Sequence, residues 1–245
     1  MANDVTTLVS RLILPEAPMR IKLLGDSITH GVGGTGFQQN GEPITAGFAR
    51  NPDGYCFANL FRDHMEKQYG CQVINNACTG TTIEFILQHF DALVDSSDDL
   101  VICTIGTNNR HQPHSTGPRR SRREQLERVY GFITQLQQKF TDGGKDIIFM
   151  ANIPASAKNE RDGEAYWRII HMNDIHDLYV KASSEFGFPL IELYTLFLDY
   201  CRDHRLRVED LLKDGLHPND AGYTVMYHLI LKELGIAEKV PGAEF

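Results

Sequence analysis

The sequence predicts an α/β protein, a three-layer α/β/α sandwich in which helices cover both faces of a five-stranded parallel sheet. Short apolar runs alternate with amphipathic stretches, and such runs are typical of strands buried on both faces. No internal repeat or linker rich in Gly and Ser interrupts this alternation. We therefore expect a single domain over residues 1–245, with its core at about residues 19–236. The predicted strands are Ile21–Leu24, Val73–Asn75, Leu100–Ile105, Ile147–Ala151 and Leu190–Leu193.

Two helices have clear signals in the sequence. One begins at Ser121, with Glu124 three residues later, which is the pattern of a capping box. The last helix follows Asn219 and Asp220 and is predicted to stop at Gly235. The apolar face of the first comprises Leu126, Val129, Ile133, Leu136 and Phe140. The inward positions of the last are Tyr223, Met226, Leu229 or Ile230, and Leu234.

The composition excludes several classes of protein. Because 24 basic residues face 32 acidic ones, the net charge of −8 provides no general positive surface, and we expect no nucleic-acid partner. A hydrophobic content of 42% excludes a disordered chain. The five cysteines form no Cys-x-x-Cys pair, so neither a zinc ribbon nor a disulfide framework is predicted. Cys103, which lies inside an apolar run, is predicted to be a core residue.

The distribution of apolar residues also bears on location. The first residues show neither a positive start nor an apolar region, so we expect no secretory signal. No run approaches the roughly 20 apolar residues that a membrane helix needs. Together with the unpaired cysteines, these features predict a cytoplasmic protein without a membrane span. Its oligomeric state is left open.

Four polar turns that contain glycine are the candidate functional segments. Gly25–Thr29, Asn75–Gly80 and Gly106–Asn109 each follow a predicted strand, and Asp214–Pro218 precedes the last helix. In open α/β sheets, ligands bind beyond the carboxyl ends of the strands. The four turns are therefore expected to converge at one edge of the sheet, where they bring together the groups needed for acyl transfer.

The spacing gives each of these groups a chemical use. Asp214 and His217 are three residues apart, so the carboxylate can hold the imidazole while Nε2 takes a proton from Ser27. The Ser27 N–H can point to the reacting carbonyl. Gly80 allows a backbone N–H to approach the substrate without a side chain in the way. Asn108 offers its amide NH₂ to the same oxygen.

In these four turns the sequence resembles the SGNH hydrolases, the superfamily of GDSL esterases and lipases. The resemblance covers residues 25 to 217, in the order that the family shows. It implies a sheet in flavodoxin-like order and hydrolysis of esters or thioesters without a metal or a cofactor. The matching blocks are Gly25-Asp26-Ser27, Asn75–Gly80, Gly106-Thr107-Asn108 and Asp214-Gly215-Leu216-His217.

The resemblance also implies a role for each site residue. Ser27 is the expected nucleophile, His217 the base and Asp214 its partner. The expected oxyanion hole consists of the Ser27 N–H, the Gly80 N–H and the Asn108 side chain. Where the family usually has Asp after the third block, this chain has Asn109, which brings no charge, so weaker support of that loop is expected. The sequence lacks the G-x-S-x-G elbow of ordinary α/β-hydrolases.

Two further segments have a structural and a functional interpretation. Gly31–Gly36 matches the dinucleotide pattern G-x-G-x-x-G, but six residues separate it from the strand and Phe37–Pro43 is no helix. We interpret it as a loop at the edge of the site, and nucleotide binding as an accidental match. The arginines of Arg119–Arg123 are interpreted as a solvated cluster, with recognition of an anionic substrate group as the alternative.

Histidines and aromatic residues outside the four turns are assigned structural roles. The pairs His111/His114 and His171/His176 lack convincing metal-ligand spacing and are predicted to be surface or core residues. Tyr166 and Trp167 are expected to pack against the next helix, with a wall of the substrate pocket as the alternative.

The sequence therefore predicts a serine esterase or acylhydrolase that works through an acyl-enzyme. The absence of a long apolar stretch or amphipathic lid favours short acyl groups, such as acetyl esters of a carbohydrate. The alternatives are a lipase, lysophospholipase or thioesterase of the same fold, or a non-catalytic protein that binds an acylated glycan. The expected partner is a small-molecule or carbohydrate ester.

Overall fold

A computed structural model describes residues 19–38 and 52–236, and it shows a parallel sheet between two layers of helices. The five sheet strands lie in the order β2-β1-β3-β5-β7, and every pairing between them is parallel. The described strands are β1 (Arg20–Gly25), β2 (Gln72–Asn75), β3 (Leu100–Thr104), β4 (His111–Pro113), β5 (Asp146–Met150), β6 (Tyr166–Arg168) and β7 (Leu190–Ile191). The predicted architecture and strand order are confirmed.

The helices connect these strands and supply the outer layers. The described α-helices are α1 (Ser27–His30), α2 (Phe57–Tyr69), α3 (Ile83–Gln88), α4 (Phe90–Leu93), α5 (Arg122–Asp142), α6 (Met172–Phe186), α7 (Leu193–Asp203) and α8 (Asp220–Glu233). Short 3₁₀ turns cover Thr107–Arg110, His114–Thr116 and Val208–Leu211. None of the described helices combines the length and the apolar content needed to cross a lipid bilayer.

The predicted starts of the two clearest helices are confirmed. The Ser121 hydroxyl accepts from the Glu124 N–H and the Glu124 carboxylate accepts from the Ser121 N–H, so the capping box is complete. Asn219 caps α8 by accepting from the Gly222 amide. Leu126 is only partly buried, and Gln125 is buried beside it.

The predicted last strand is too long at its carboxyl end. It ends at Ile191, and Leu193 is already the first residue of α7. Leu193 is nevertheless fully buried, because the apolar face of α7 continues the same core. The predicted run therefore extended past Glu192, the residue that directly precedes α7.

Alternate residues of the central strand β3 face two separate cores. Leu100 and Ile102 pack with α2, α7 and α8 on one face of the sheet. Val101 and Cys103 pack with α3 to α6 on the other. Burial on both faces explains why this strand reads as a continuous apolar run, and it confirms Cys103 as a core residue.

The segment around Tyr166 and Trp167 forms a strand that was not predicted. These residues make β6, which pairs antiparallel with β4, and Trp167 also packs against the core cluster that contains Ile175 and Tyr179 of the next helix, α6. Tyr166 lies against the His111 ring with centroids 4.8 Å apart, and Trp167 lies against His114 at 4.5 Å. A two-stranded ribbon of three residues a side is too short to leave a periodic signal in the sequence.

The arginines of the cluster at residues 119–123 bind partners within the chain. This arrangement supports the structural interpretation of the cluster, since each side chain already has a partner and two of them join the region at the start of α5 to other segments. The partners are Asp162 for Arg119, Gln125 for Arg120, Asp174 for Arg122 and Glu127 for Arg123.

A buried ion pair lies toward the edge of the sheet where the strands begin. The Lys22 Nζ lies 3.3 Å from the Asp98 Oδ2, and the two side chains are 1% and 0% exposed. Arg20 Nε donates to the Asp98 Oδ1 at 2.9 Å, and the Asp95 N–H donates to Oδ2 at 2.8 Å. Asp98 thus fastens the start of β3 to β1.

The neutral residue Asn109 holds the start of α3 in place. Its Oδ1 accepts from the Ile83 N–H at 3.0 Å, and its Nδ2 donates to the Glu84 carboxylate. Glu84 in turn binds Arg128 of α5 at 3.1 Å. The expectation of weaker support at this position is wrong, because Glu84 supplies the negative charge and the Asn109 amide donates to it.

Replacement of Asp98 by Ala should lower the free energy of unfolding by about 3 kcal/mol, because a buried cation loses its carboxylate. Urea denaturation measures this change. The matched control is Asp63→Ala, which removes an exposed ion pair with Arg62 and should change stability by less than about 0.5 kcal/mol. Equal effects of the two substitutions would contradict the prediction.

Asn109→Asp should destabilise the protein by about 1–3 kcal/mol, because it sets a second carboxylate against Glu84 and removes a donor. In the double variant Asn109→Asp/Glu84→Gln, the glutamine amide can donate to the new aspartate. We expect the double variant to be more stable than the sum of the single effects predicts, by at least about 0.5 kcal/mol. Additive effects in chemical denaturation would refute the direct contact.

Candidate functional site

The first turn of the site begins with a close contact between strand ends. Gly25 pairs with Thr104 at the carboxyl ends of β1 and β3. A Cβ on Gly25 would lie 2.7 Å from the Thr104 carbonyl oxygen and 2.3 Å from the Thr29 Oγ1. Only glycine fits here, and this allows the chain to turn directly from the strand into α1.

Ser27 is the first residue of the short helix α1 and is almost fully buried. The side chain of Asp26 caps this helix by accepting from the Ile28 N–H at 3.0 Å. A helix start leaves its first backbone N–H groups without partners inside the helix. The Ser27 N–H is one of these groups, so it can donate a hydrogen bond to an oxygen atom placed at the start of α1.

The side chains of Ser27, His217 and Asp214 form one chain of hydrogen bonds. Ser27 Oγ lies 2.8 Å from His217 Nε2, and His217 Nδ1 lies 2.7 Å from the Asp214 Oδ2. The other carboxylate oxygen, Oδ1, accepts from the backbone N–H groups of Leu216 and His217 at 3.0 and 2.8 Å. The imidazole is thereby oriented with Nδ1–H toward Asp214 and Nε2 toward the serine hydroxyl.

The local hydrogen bonds keep Asp214 ionised. Although partial burial acts to raise its pKa, hydrogen bonds from the His217 ring and from two backbone amides hold the pKa of Asp214 below its ordinary value. An ionised Asp214 stabilises a positive charge on the ring that it contacts. This is the charge that His217 would gain if it took the Ser27 proton.

Gly80 lies in an exposed turn after β2. Its φ of +82° is in the left-handed region that favours glycine, whereas a Cβ at this position would meet nothing within 4 Å. The conformation of the backbone therefore explains the need for glycine better than crowding around it does. The open space beside Gly80 leaves its surroundings accessible to a substrate.

Asn108 is partly exposed and binds the neighbouring turn. Its Nδ2 donates one hydrogen to the Thr81 carbonyl at 2.9 Å. An amide nitrogen carries two hydrogens, so this bond uses one of them and leaves the second for another acceptor. The bond to Thr81 also fixes Asn108 relative to the turn that contains Gly80.

Asp26 and Asn152 lie beside these candidate residues, and neither was predicted as a site residue from the sequence. Asn152 Nδ2 donates to the Thr107 Oγ1 at 2.6 Å and lies 3.4 Å from the Asp26 Oδ2. Burial raises the pKa of Asp26, while hydrogen bonds from Thr107 and the Ile28 amide act in the opposite direction. The available signal for Asn152 was its position directly beyond the β5 run.

The segment after β5 supports the turn that carries the histidine. The Ser156 N–H donates to the Gly215 carbonyl at 2.8 Å. Farther along the same segment lie Asn159 and Glu160. The buried Arg110 guanidinium binds the Asn159 Oδ1 at 3.1 Å and the Glu160 Oε1 at 2.8 Å. Arg110 therefore fixes this segment to the loop that follows β3.

Clefts border the site on both sides of the candidate residues. One, of about 610 Å³, lies between the segment 32–37 and the residues Lys213 and Asp214. Gly33 is packed so closely here that a Cβ would lie 3.1 Å from the His217 Cβ. Gly31–Gly36 is thus a loop at the edge of the site, as predicted, and residues 39–43 lie outside the described part. A smaller cleft of about 250 Å³ is lined by residues 78–82 and Phe85.

The remaining histidine pairs show no cluster that could hold a metal. Within residues 19–38 and 52–236, no three His, Cys, Asp or Glu side chains are grouped as ligands. Burial, followed by the charges of Arg168 and Arg110, lowers the pKa of His111 to about 4. His176 binds Asp177 and Glu192.

Known proteins resemble the chain in sequence and in fold. A multidomain esterase of Ruminococcus flavefaciens is 24% identical over 263 residues, which cover 96% of this chain and 31% of that protein. The chain thus spans about a third of that relative. LAE5, an α/β hydrolase enzyme from the metagenome of Lake Arreo in Spain, superposes with a TM-score of 0.66 at 22% identity, covering 90% of this chain and 96% of LAE5.

A second solved structure is Axe2, an acetylxylan esterase from Geobacillus stearothermophilus. It has a TM-score of 0.65 at 19% identity, over 89% of this chain and 95% of Axe2. At these identities the structures establish a shared fold.

The sequence model of the GDSL-like Lipase/Acylhydrolase family matches residues 23–225, a range that includes Ser27, Asp214 and His217. The chain therefore belongs to the GDSL-like lipase/acylhydrolase family.

Proposed function

We propose that this chain is a serine esterase that cleaves carboxylic esters through an acyl-enzyme. The observation that carries the proposal is the hydrogen-bonded chain from Ser27 Oγ through the His217 ring to Asp214, with contacts of 2.8 and 2.7 Å. The similar structures include catalytic mutants of Axe2 in which a serine, an aspartate or a histidine is replaced by alanine. The aspartate and histidine of Axe2 are three positions apart, as Asp214 and His217 are.

In the first half of the reaction, Ser27 Oγ attacks the acyl carbon while His217 Nε2 takes the hydroxyl proton. The carbonyl oxygen becomes an oxyanion, which accepts from the Ser27 and Gly80 N–H groups and from the second hydrogen of Asn108 Nδ2. Asp214 stabilises the imidazolium. His217 then gives its proton to the alcohol oxygen as the bond to the acyl carbon breaks.

In the second half, a water molecule takes the place of the alcohol. His217 Nε2 removes a proton from this water, whose oxygen attacks the acyl carbon attached to Ser27. The same donors hold the oxyanion. The carboxylic acid leaves as Ser27 Oγ regains its proton from His217, and this restores the starting state.

For the substrate we propose short-chain esters, with acetyl esters of a carbohydrate as the natural class. The cleft at Gly80, about 250 Å³, is below the size of an ordinary ligand pocket, about 300–1,000 Å³. The cleft beside Asp214 is larger, about 610 Å³, and could accept a bulkier alcohol. Axe2 is an acetylxylan esterase and the R. flavefaciens relative is an esterase, which supports this choice over a lipase or thioesterase.

We also propose that the chain works in a reducing compartment, the cytoplasm. All five cysteines are free thiols, and four of them are buried. Burial raises the pKa of the fully buried Cys103 thiol, which keeps it protonated and unreactive. Because the fold uses no disulfide among these residues, reducing conditions would remove no cross-link from them.

Ser27→Ala should lower kcat for p-nitrophenyl acetate at least about a thousandfold, because the acyl-enzyme can no longer form. The unaltered protein should also react stoichiometrically with a fluorophosphonate probe at Ser27, as only an activated serine does. The matched control is Ser96→Ala, which changes an exposed serine outside the site and should retain full activity. Unchanged turnover in Ser27→Ala would reject the proposal, and so would an unlabelled Ser27.

Among p-nitrophenyl esters from acetate to palmitate, kcat/KM should be highest for acetate and at least about tenfold lower for octanoate. Each methylene group that does not fit the cleft either stays in water or strains the complex, so longer acyl chains gain no binding energy. Acetate release from acetylated xylan should exceed fatty-acid release from a lysophospholipid. A maximum at long chains would contradict the short-acyl proposal and favour the lipase alternative, while leaving the nucleophile unaffected.

A further inference from the structure

His30 connects the serine helix to the turn that contains Gly80. It is the last residue of α1, three positions after Ser27, and its ring is buried. The Thr79 N–H donates to His30 Nδ1 at 3.2 Å, and the Thr79 Oγ1 lies 3.0 Å from the same nitrogen. Thr79 directly precedes Gly80, so this contact lies one residue from the proposed oxyanion donor.

The contact determines which ring nitrogen carries the proton. A backbone N–H can only donate, so His30 Nδ1 must accept and cannot itself be protonated. The proton of the neutral ring is then on Nε2, which is buried and has no hydrogen-bond partner among the described residues. Burial lowers the pKa of His30 and so keeps the ring neutral. Phe37 packs edge-on against the ring, with centroids 5.1 Å apart.

Two other hydrogen bonds join the same segments, but both lie farther from Gly80 along the chain. Asn75 Nδ2 donates to the Thr29 carbonyl at 2.8 Å. The Cys78 N–H donates to the Gly25 carbonyl at 3.2 Å. They hold the strand end and the beginning of the turn. Of these three contacts, the one at His30 acts nearest to the Gly80 amide.

We infer that His30 is a positioning residue for the oxyanion hole, and that its unprotonated Nδ1 sets the Gly80 amide against the carbonyl attacked by Ser27. The inference rests on the proposed function, because the Gly80 amide needs a fixed position only if an oxyanion forms there. It assigns His30 a task that a merely space-filling residue could not perform. The relevant property is an acceptor at the position of Nδ1.

Two substitutions of His30 distinguish the role of a hydrogen-bond acceptor from the role of a side chain that only fills space. In His30→Asn the side-chain amide can present its oxygen close to the position of Nδ1. In His30→Gln the amide extends to about the position of Nε2, which faces away from Thr79, although glutamine fills more of the space. A packing role therefore predicts that His30→Gln is the better enzyme, whereas a positioning role predicts that His30→Asn is.

The experiment measures kcat and KM for p-nitrophenyl acetate in the unaltered protein and both variants, after thermal melting has shown that each is folded. His30→Asn should retain kcat within about threefold. His30→Gln should lose roughly 10- to 100-fold in kcat, somewhat less than complete removal of an oxyanion donor, with KM changed by less than about twofold. A kcat of His30→Gln equal to or above that of His30→Asn would overturn the inference.

The unaltered protein provides a test that does not depend on the variants or on turnover. The ¹⁵N chemical shifts of the His30 ring at neutral pH should show an unprotonated Nδ1 and a protonated Nε2. A protonated Nδ1 would overturn the inference even if the enzyme is active. An inactive unaltered protein with the expected tautomer would instead overturn the proposed esterase function.

Discussion

The hydrogen bond between Ser27 Oγ and His217 Nε2 joins parts of the chain that are 190 residues apart. Neither residue could hold the other in place through its own neighbours in the sequence. The parallel sheet makes the contact possible, because strands that run in one direction all end at the same edge. The α1 turn follows β1 there, and the turn before α8 is brought back to it as α8 packs against α2 and α7 in the same core. The chemistry therefore depends on the complete fold.

This dependence explains why so much hydrogen bonding at the site joins one turn to another. Asp26 caps α1 and also lies 3.4 Å from the Asn152 amide beyond β5. Ser156 binds the Gly215 carbonyl in the histidine turn. Because a side chain held by packing and by such bonds loses little further freedom in the transition state, the turns can present their donors at a fixed distance from the reacting atom.

The sequence predicted the parts of this arrangement that depend on local patterns. Apolar runs located the sheet strands, and the capping box located Ser121 as the start of α5. The short turn from Asp214 to His217 was also predictable, because its geometry is set within four residues. The β4–β6 ribbon was not predictable, since three residues a side carry no periodicity, and neither was the ring contact of His30, since it depends on a partner 49 residues away.

Asparagines link the strand ends to their neighbours, and their neutrality has a physical reason. Asn75 binds the Thr29 carbonyl, Asn108 binds the Thr81 carbonyl, and Asn152 binds the Thr107 hydroxyl. Each follows or ends an apolar strand, so each is placed to reach the adjoining turn. An amide both donates and accepts, and when it is hydrogen-bonded it can be buried without the desolvation cost of a charge.

Carboxylates at those three positions could not donate to the Thr29 and Thr81 carbonyls. Guanidinium groups could donate to them but would change the electrostatics of the reacting centre. A buried positive charge close to His217 would oppose protonation of its ring. With amides as the links, Asp214 supplies the negative charge in contact with the His217 ring. Charged groups are used instead where two supporting segments meet, since Arg110 in the turn after β3 forms an ion pair with Glu160 in the segment after β5.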